Sequence, residues 1–240
     1  MNKLFKAALL VAGAALISQT AQAAYNPDDL VLGFDSPSAA NDYIIDLGQA
    51  SSILGTPTTD LSSLFSLSTF NSTFSGLDGT SIGVVGGNSA LTSFNVYVTG
   101  SGQPFQLAGN PLKTAVGDVS VMVGNLGLSG GLSTTDPRTD PNSYNNKVAP
   151  SVGIGSFLTD SGVNPLAAAS GNVLTENLWE QSGNNAFLYK GYFTLDLSGD
   201  TTHYLTFTAV PVPEPSVFGL LGGFGALGLW FRSRFNRKTN

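Results

Sequence analysis

The chain has 240 residues, of which only 11% are charged, and its formal net charge is −6. It contains no cysteine, which excludes disulfides, thiolate catalysis and cysteine-ligated metals. Between residues 24 and 210 there are fifteen acidic residues and four basic ones, a net charge near −11. Nucleic acids and anionic lipid surfaces are bound through clusters of Lys and Arg, so this body is expected to bind neither.

Residues 1–23 have the three parts of a secretory signal peptide. Two lysines precede an uninterrupted apolar core at residues 7–17. Ala21 and Ala23 form an A-x-A cleavage site, so signal peptidase is expected to cut just before Ala24. The segment is therefore predicted to direct export and then to be removed.

The head of the body has two short apolar runs, Asp29 to Phe34 and Asp42 to Gly48. A Pro/Ser-rich turn separates them, which predicts a β-hairpin. Asp28-Asp29 and the pair Asp42 and Asp46 are interpreted as hairpin ends. After the hairpin, residues 60–65 predict one short helix with Asp60 as its N-cap.

Further strands are predicted at residues 93–100 and 118–129, which are rich in Val, Phe and Tyr and bounded by Gly. Residues 187–197 alternate between apolar odd positions and mostly polar even ones, which predicts one buried and one wet face. Residues 203–209 predict the return strand. Several short strands with few helices predict a mainly β body over residues 24–210, a β-sandwich or jelly roll.

Glu176 and Glu180 are the candidates for acid–base catalysis. A short helix around residues 176–181 would place them at i and i+4, and paired carboxylates about 5–10 Å apart can hydrolyse glycosides. This interpretation makes the protein a secreted polysaccharide hydrolase, whereas the alternative is a solvated helix face. His203 is the only histidine, so zinc ligation and a catalytic triad lack partners.

The segment 133–147 predicts a long polar loop with two Asp-Pro steps. It offers hard oxygen ligands of the kind that calcium prefers, but it lacks the spacing of an EF-hand, and such residues also make ordinary turns. A calcium-stabilised adhesion module is the second alternative. The candidate ligands are Asp136, Asp140, Asn142 and Asn145.

Several aromatic side chains are candidates for stacking on sugar rings. Packing in the core or at its rim is the favoured interpretation for most of them. They are Tyr25, Tyr97, Tyr144, Trp179 and Tyr192.

The carboxy terminus has three parts in a characteristic order. Residues 216–231 carry no charge and would form a helix about 24 Å long, slightly short of the ~30 Å hydrocarbon core of a bilayer. A Pro-Glu-Pro motif precedes this run, and a basic tail at 232–238 follows it, as expected for a single transmembrane helix with a cytoplasmic end. The motif is Val212, Pro213, Glu214 and Pro215, and the basic residues are Arg232, Arg234, Arg237 and Lys238.

This arrangement resembles the PEP-CTERM sorting domain over residues 211–238. The resemblance implies that an exosortase, a membrane-embedded cysteine transpeptidase of Gram-negative bacteria, recognises residues 212–215. Cleavage near this motif would release the body or transfer it to another anchor. The five glycines of the 216–231 span favour a temporary anchor. Residues 26–48 are also similar to the opening of a recurrent group of such proteins. This second resemblance does not assign an activity to the chain.

The sequence therefore predicts an exported, non-enzymatic structural or binding protein. No residue is assigned to catalysis, to a cofactor or to a metal. The expected partners are signal peptidase, an exosortase and exopolysaccharide, with passage through the inner membrane. The expected destination is the cell surface, the outer envelope or an extracellular, biofilm-type matrix.

Overall fold

The computed structural model of the chain describes residues 27–88, 94–107, 109–126, 133–148, 167–199 and 204–210. The chain divides into two compact units, Met1–Ala209 and Val210–Asn240. Every helix and strand named below belongs to the first unit. Among the described residues, no helix combines the length and the apolar character needed to cross a membrane.

The described strands form one antiparallel sheet of ten strands, curled into a half-barrel. The expectation of a mainly β body is confirmed, although the strands make one curled sheet where two stacked sheets were expected. Their order is β3-β10-β9-β8-β5-β4-β1-β2-β6, and β7 pairs with β4. The strands are β1 (Asp29–Asp35), β2 (Asn41–Gln49), β3 (Thr58–Asp60), β4 (Ser81–Asn88), β5 (Asn95–Thr99), β6 (Ser133–Pro137), β7 (Ala167–Ala168), β8 (Val173–Ser182), β9 (Leu188–Asp196) and β10 (Leu205–Ala209).

The described helices lie on both sides of the sheet. On the inner, concave side, α1 (Ala50–Leu54) and α2 (Leu67–Thr73) contact β2. On the outer side, α3 (Asn110–Leu126) contacts β4 and β5, and α4 (Tyr144–Val148) contacts β1 and β2. A 3₁₀ turn at Ser62–Leu64 stands where the sequence predicted a short helix, and Asp60 Oδ1 accepts a hydrogen bond from Ser62 N at 2.9 Å.

The predicted hairpin at the head of the body is confirmed. Strands β1 and β2 pair from Asp29 with Gln49 to Phe34 with Tyr43. All seven residues of β1 are buried, because β1 is a central strand covered on both faces. Such continuous burial explains why its sequence is a nearly unbroken apolar run.

Two apolar clusters cover the two faces of β1. The inner core contains Leu30, Leu32 and Phe34 together with residues of β8, β9, β10 and α2. The outer core contains Val31 and the buried face of α3. The ring of Tyr144 lies against Gly33, where a Cβ would overlap it, and its hydroxyl donates to Gly83 O at 2.7 Å.

Strand β9 has a bulge that changes which residues are buried. Leu178 pairs with Gly191 and Trp179 with Tyr189, so Lys190 is an extra residue in β9. Beyond the bulge Phe193 packs in the inner core, whereas Phe187 before it packs in the outer core. The predicted strand is confirmed, but the prediction that its odd positions share one face is wrong, because a bulge shifts the alternation by one residue.

Two other sequence predictions are wrong. Residues 118–126 belong to helix α3, because the packing of Ala115, Val116, Val119, Met122 and Val123 on one helical face overrides the strand preference of valine. Segment 133–147 is only partly a loop, since it begins as β6 and ends in α4. Strand β6 lies at a sheet edge, where Pro137 is tolerated.

Candidate functional site

The residues predicted to direct sorting lie outside the described residues. These are the predicted cleavage-site residues Ala21, Ala23 and Ala24, the Pro-Glu-Pro motif at 212–215, the predicted span at 216–231 and the basic tail at 232–238. His203 and Tyr25 also lie outside them.

Glu176 and Glu180 lie on strand β8, so the predicted helix at 176–181 is wrong. The segment is a strand because it pairs with β5 on one side and with β9 on the other. Two strand residues four positions apart have Cα atoms separated by about 13 Å. The strand therefore does not place the two side chains one helical turn apart, as the catalytic interpretation assumed.

Glu180 is engaged in local contacts. Its Oε2 lies 2.8 Å from Lys190 Nζ, and its Oε1 accepts a hydrogen bond from the hydroxyl of Tyr97 at 3.1 Å. Burial, followed by the charge of Glu180, raises the pKa of Tyr97, which therefore remains a hydrogen-bond donor. The arrangement links β5, β8 and β9, which favours a structural role for Glu180.

Glu176 borders a cavity of about 10 Å³ in the inner face of the sheet. Burial raises the pKa of Glu176 to about 7. A cavity of this volume has room for about one water molecule and not for a sugar ring. Glu176 is the one acidic residue among the described residues that line the cavity, which are Leu32, Ile82, Gly83, Val84, Thr99, Leu174, Glu176, Phe193, Leu195 and Leu205.

Arg138 links the polar segment after β6 to the β1–β2 hairpin through ion pairs and hydrogen bonds. Its Nε donates to Asp35 Oδ1 and lies 3.6 Å from Asp42 Oδ1. Its Nη2 donates to Asn145 Oδ1 at 3.0 Å, and Asn145 N donates to Asp42 Oδ2 at 2.8 Å. One guanidinium thus connects two carboxylates of the hairpin with the start of α4.

The other proposed calcium ligands of this segment have different surroundings. Asp140 Oδ1 accepts a hydrogen bond from Asn142 N at 2.7 Å, which is a turn made by the side chain of Asp140. Asp136 is buried opposite Asp42 in the β2–β6 pairing, and burial raises its pKa. Within the described residues, no group of three or more His, Cys, Asp or Glu side chains is placed to hold a metal ion.

Asp42 and Asp46 were expected at hairpin ends, but both are fully buried within β2. Burial raises the pKa of Asp42 to about 8, with a further rise from Asp35, against the opposing effects of Asn145 N–H and Arg138. Burial also raises the pKa of Asp46 to about 6, although Gly48 N donates to Asp46 Oδ1 at 2.8 Å. Sequence reasoning missed the burial of Asp42 because the helix that contacts it, α4, comes from a distant part of the chain.

The aromatic candidates divide between the core and the surface. Tyr97 and Tyr144 are buried, as the core interpretation predicted, whereas Trp179 and Tyr192 are only half-buried. Tyr189 is 40% exposed and was missed, because the bulge in β9 moves it out of the predicted buried face.

Comparison of the chain with family models, curated proteins and solved structures finds no match.

Proposed function

We propose that the chain is an exported surface or extracellular-matrix protein that an exosortase-type system sorts by its carboxy terminus. The single observation that supports this is the ordered carboxy-terminal pattern: a Pro-Glu-Pro motif, an uncharged run at 216–231 and a basic tail. Signal peptidase cuts before Ala24, the span holds the protein in the inner membrane for a time, and cleavage near Glu214 ends that attachment.

The body serves as a non-catalytic structural or binding domain in this proposal, in association with exopolysaccharide or a biofilm matrix. Its charged groups support this role, because three of its four basic residues form ion pairs within the body. Arg138 pairs with Asp35, Lys190 pairs with Glu180, and Lys147 Nζ lies 3.5 Å from Asp118 Oδ1. Such pairs join neighbouring elements of the fold.

The test is the fate of both termini in a Gram-negative host that has an exosortase. Mass spectrometry of the mature protein should find a chain that begins near Ala24 and ends near residues 213–215. Glu214→Ala should block the second cut and leave the full tail in the inner-membrane fraction.

Thr239→Ala is the matched control, since it lies in the tail but leaves the motif, the span and all four basic residues intact. It should be processed like the unaltered chain. An intact tail in the inner membrane of cells that express the unaltered chain would overturn the proposal, and the protein would then be a membrane-anchored domain.

A further inference from the structure

One half of the sheet has an outer face that is open to solvent. We call strands β3, β8, β9 and β10 the open half, and strands β1, β2, β4, β5 and β6 the covered half, over which α3 and α4 lie. Alternate residues of the open half point into the inner core. The others are exposed or half-exposed and form the outer face, with Thr58, Asp60, Val173, Thr175, Asn177, Trp179, Tyr189, Tyr192, Thr194, Asp196, Thr206 and Thr208.

Two aromatic side chains lie together at one end of this outer face. The rings of Trp179 and Tyr189 have centroids 5.3 Å apart and an interplanar angle of 49°. Trp179 Nε1 donates to Gly100 O at 3.2 Å, which fixes the orientation of the indole. Tyr192 lies in the next row along the strands, opposite Asn177. The bulge at Lys190 is what brings Tyr189 to this face.

Two rows of hydroxyl and amide groups run across the strands beside the aromatic group. One row is Thr175, Thr194, Thr206 and Asp60, and the next is Asn177, Tyr192, Thr208 and Thr58, each residue directly opposite its neighbour. Adjacent strands are about 4.8 Å apart, and residues of the same face about 6.7 Å apart along a strand. The face is therefore a regular array of donors and acceptors.

We propose that this outer face binds a neutral polysaccharide laid across the strands. A pyranose ring has apolar C–H faces, which stack on aromatic rings, and a rim of hydroxyl groups, which exchange hydrogen bonds with Thr and Asn side chains. The aromatic group and the two rows provide both kinds of contact side by side. The inference rests on the function proposed above, because it names the ligand class of an exported binding protein.

The charges of the face select a neutral polymer over an acidic one. Its ionisable side chains at neutral pH are Asp60 and Asp196, and no Lys or Arg belongs to it. Lys190, the nearest basic residue in β9, is paired with Glu180. The whole body is also strongly acidic, so an anionic polysaccharide would be repelled.

The composition of the face also distinguishes a sugar ligand from a protein partner. Stable protein interfaces have an apolar, well-packed centre surrounded by a polar rim. Here the two central rows consist of Thr and Asn with Asp60 and Tyr192, and the Trp179–Tyr189 pair lies at one end. Val173 is the sole aliphatic residue of the face.

The experiment is a fluorescence titration of the full chain, purified in a detergent without a sugar headgroup. The chain has two tryptophans, so Trp230→Phe leaves Trp179 as the one indole that reports binding. Cellohexaose and maltohexaose are the neutral probes, and an alginate hexamer is the acidic probe. A saturable change with at least one neutral probe, and none with alginate, is the expected result.

Tyr189→Ala should weaken binding about tenfold through the lost stacking contact. Thr206→Val should weaken it about threefold, because it removes one hydroxyl at nearly constant shape. Leu188→Ala is the matched control: Leu188 is 64% exposed and is adjacent to Tyr189 in sequence, but it points away from the outer face. It should leave the affinity unchanged, and circular dichroism should show that all three variants are folded.

The proposal is overturned if neither neutral probe binds, if alginate binds more tightly, or if Leu188→Ala weakens binding as much as Tyr189→Ala. A dimer detected by light scattering that Tyr189→Ala dissociates would also overturn it, since the face would then be an interface between two copies. None of these results depends on terminal cleavage, so this inference and the sorting proposal can fail separately.

Discussion

The covered and open halves of the sheet differ in how many layers bury them. In the covered half, β1 is buried at every position, between α2 on the inner side and α4 on the outer side. In the open half, β9 beyond its bulge alternates between buried and half-exposed residues. One curled sheet therefore contains both patterns, and the number of layers that cover a strand decides which pattern its sequence shows.

The carboxyl groups on the outer side of the two halves show the same difference, whereas Glu176 of the open half points inward and has a raised pKa. Asp42 and Asp46 lie on the outer side of the covered half, and burial raises the pKa of both. Asp196 lies on the outer face of the open half, where hydrogen bonds from Ser198 lower its pKa. Burial thus shifts Asp42 and Asp46 toward their protonated forms, whereas the partly exposed Asp196 favours its charged form.

The largest expected effect compares one tyrosine from each half. Tyr144→Ala should lower the free energy of unfolding by about 3–5 kcal/mol, because it removes a fully buried ring and leaves a cavity in the outer core. Tyr192→Ala on the open face should cost about 0.5 kcal/mol. Urea denaturation of the full chain measures both. Equal losses would mean that both halves are covered alike and would remove the distinction.

The pH dependence of stability should come mainly from the covered half. The pKa of Asp42 rises from 3.8 to about 8, and that of Asp46 from 3.8 to about 6. The folded state therefore holds protons that the unfolded state has released, so this contribution is complete below pH 3.8 and is lost as the pH rises toward 8. We expect the melting temperature at pH 8 to be roughly 3 °C or more below that at pH 5.

Asp42→Asn should reduce this pH dependence and raise the melting temperature at pH 8. The amide oxygen of the new side chain can still accept the hydrogen bond from Asn145 N, and no charge is buried at this position. Asp78→Asn is the control: Asp78 is exposed, and its Oδ1 accepts a hydrogen bond from Gly171 N at 2.7 Å. It should leave the pH dependence unchanged. If Asp42→Asn left it unchanged as well, burial of the hairpin carboxylates would not be its cause.

The smallest effect is expected from calcium, because Arg138 pairs with Asp35 and burial favours the protonated form of Asp42 where the polar segment joins the covered half. Millimolar calcium, the range in which extracellular modules bind it, should leave the melting temperature within about 1 °C of the value in chelator. Differential scanning calorimetry of the full chain checks this. A melting temperature that rises with calcium and falls with chelator would contradict this expectation and favour the alternative of a calcium-stabilised adhesion module.

Local patterns in the sequence predicted the parts of the fold that are held by near neighbours. The β1–β2 hairpin and the β9–β10 pair were predicted because each has two apolar runs joined by a short turn. Strand β5 was predicted from its Val and Tyr content. These elements needed no knowledge of distant segments.

The remaining elements depend on partners far along the chain. The valines of helix α3 predict a strand when only the local sequence is considered. The segment is a helix because its apolar face packs on β4 and β5. The sequence of strand β8 shows no clear alternation of apolar and polar residues, because each face carries one of each kind. Glu176 and Leu178 lie on one face, and Asn177 and Trp179 lie on the other. The candidate binding face was missed for the same reason, since its rows combine residues from four strands and its aromatic group depends on one bulge.

The pairing of β3 with β10 determines when folding can finish. Thr58 lies opposite Thr208, and Leu61 N donates to Leu205 O at 2.8 Å, so an early segment is completed by the last strand of the body. Contacts between such distant segments form slowly, because the loop between them must first be closed. The β3 edge of the sheet therefore stays unpaired until β10 is available, so the fold can be completed only after residue 209 has been synthesised.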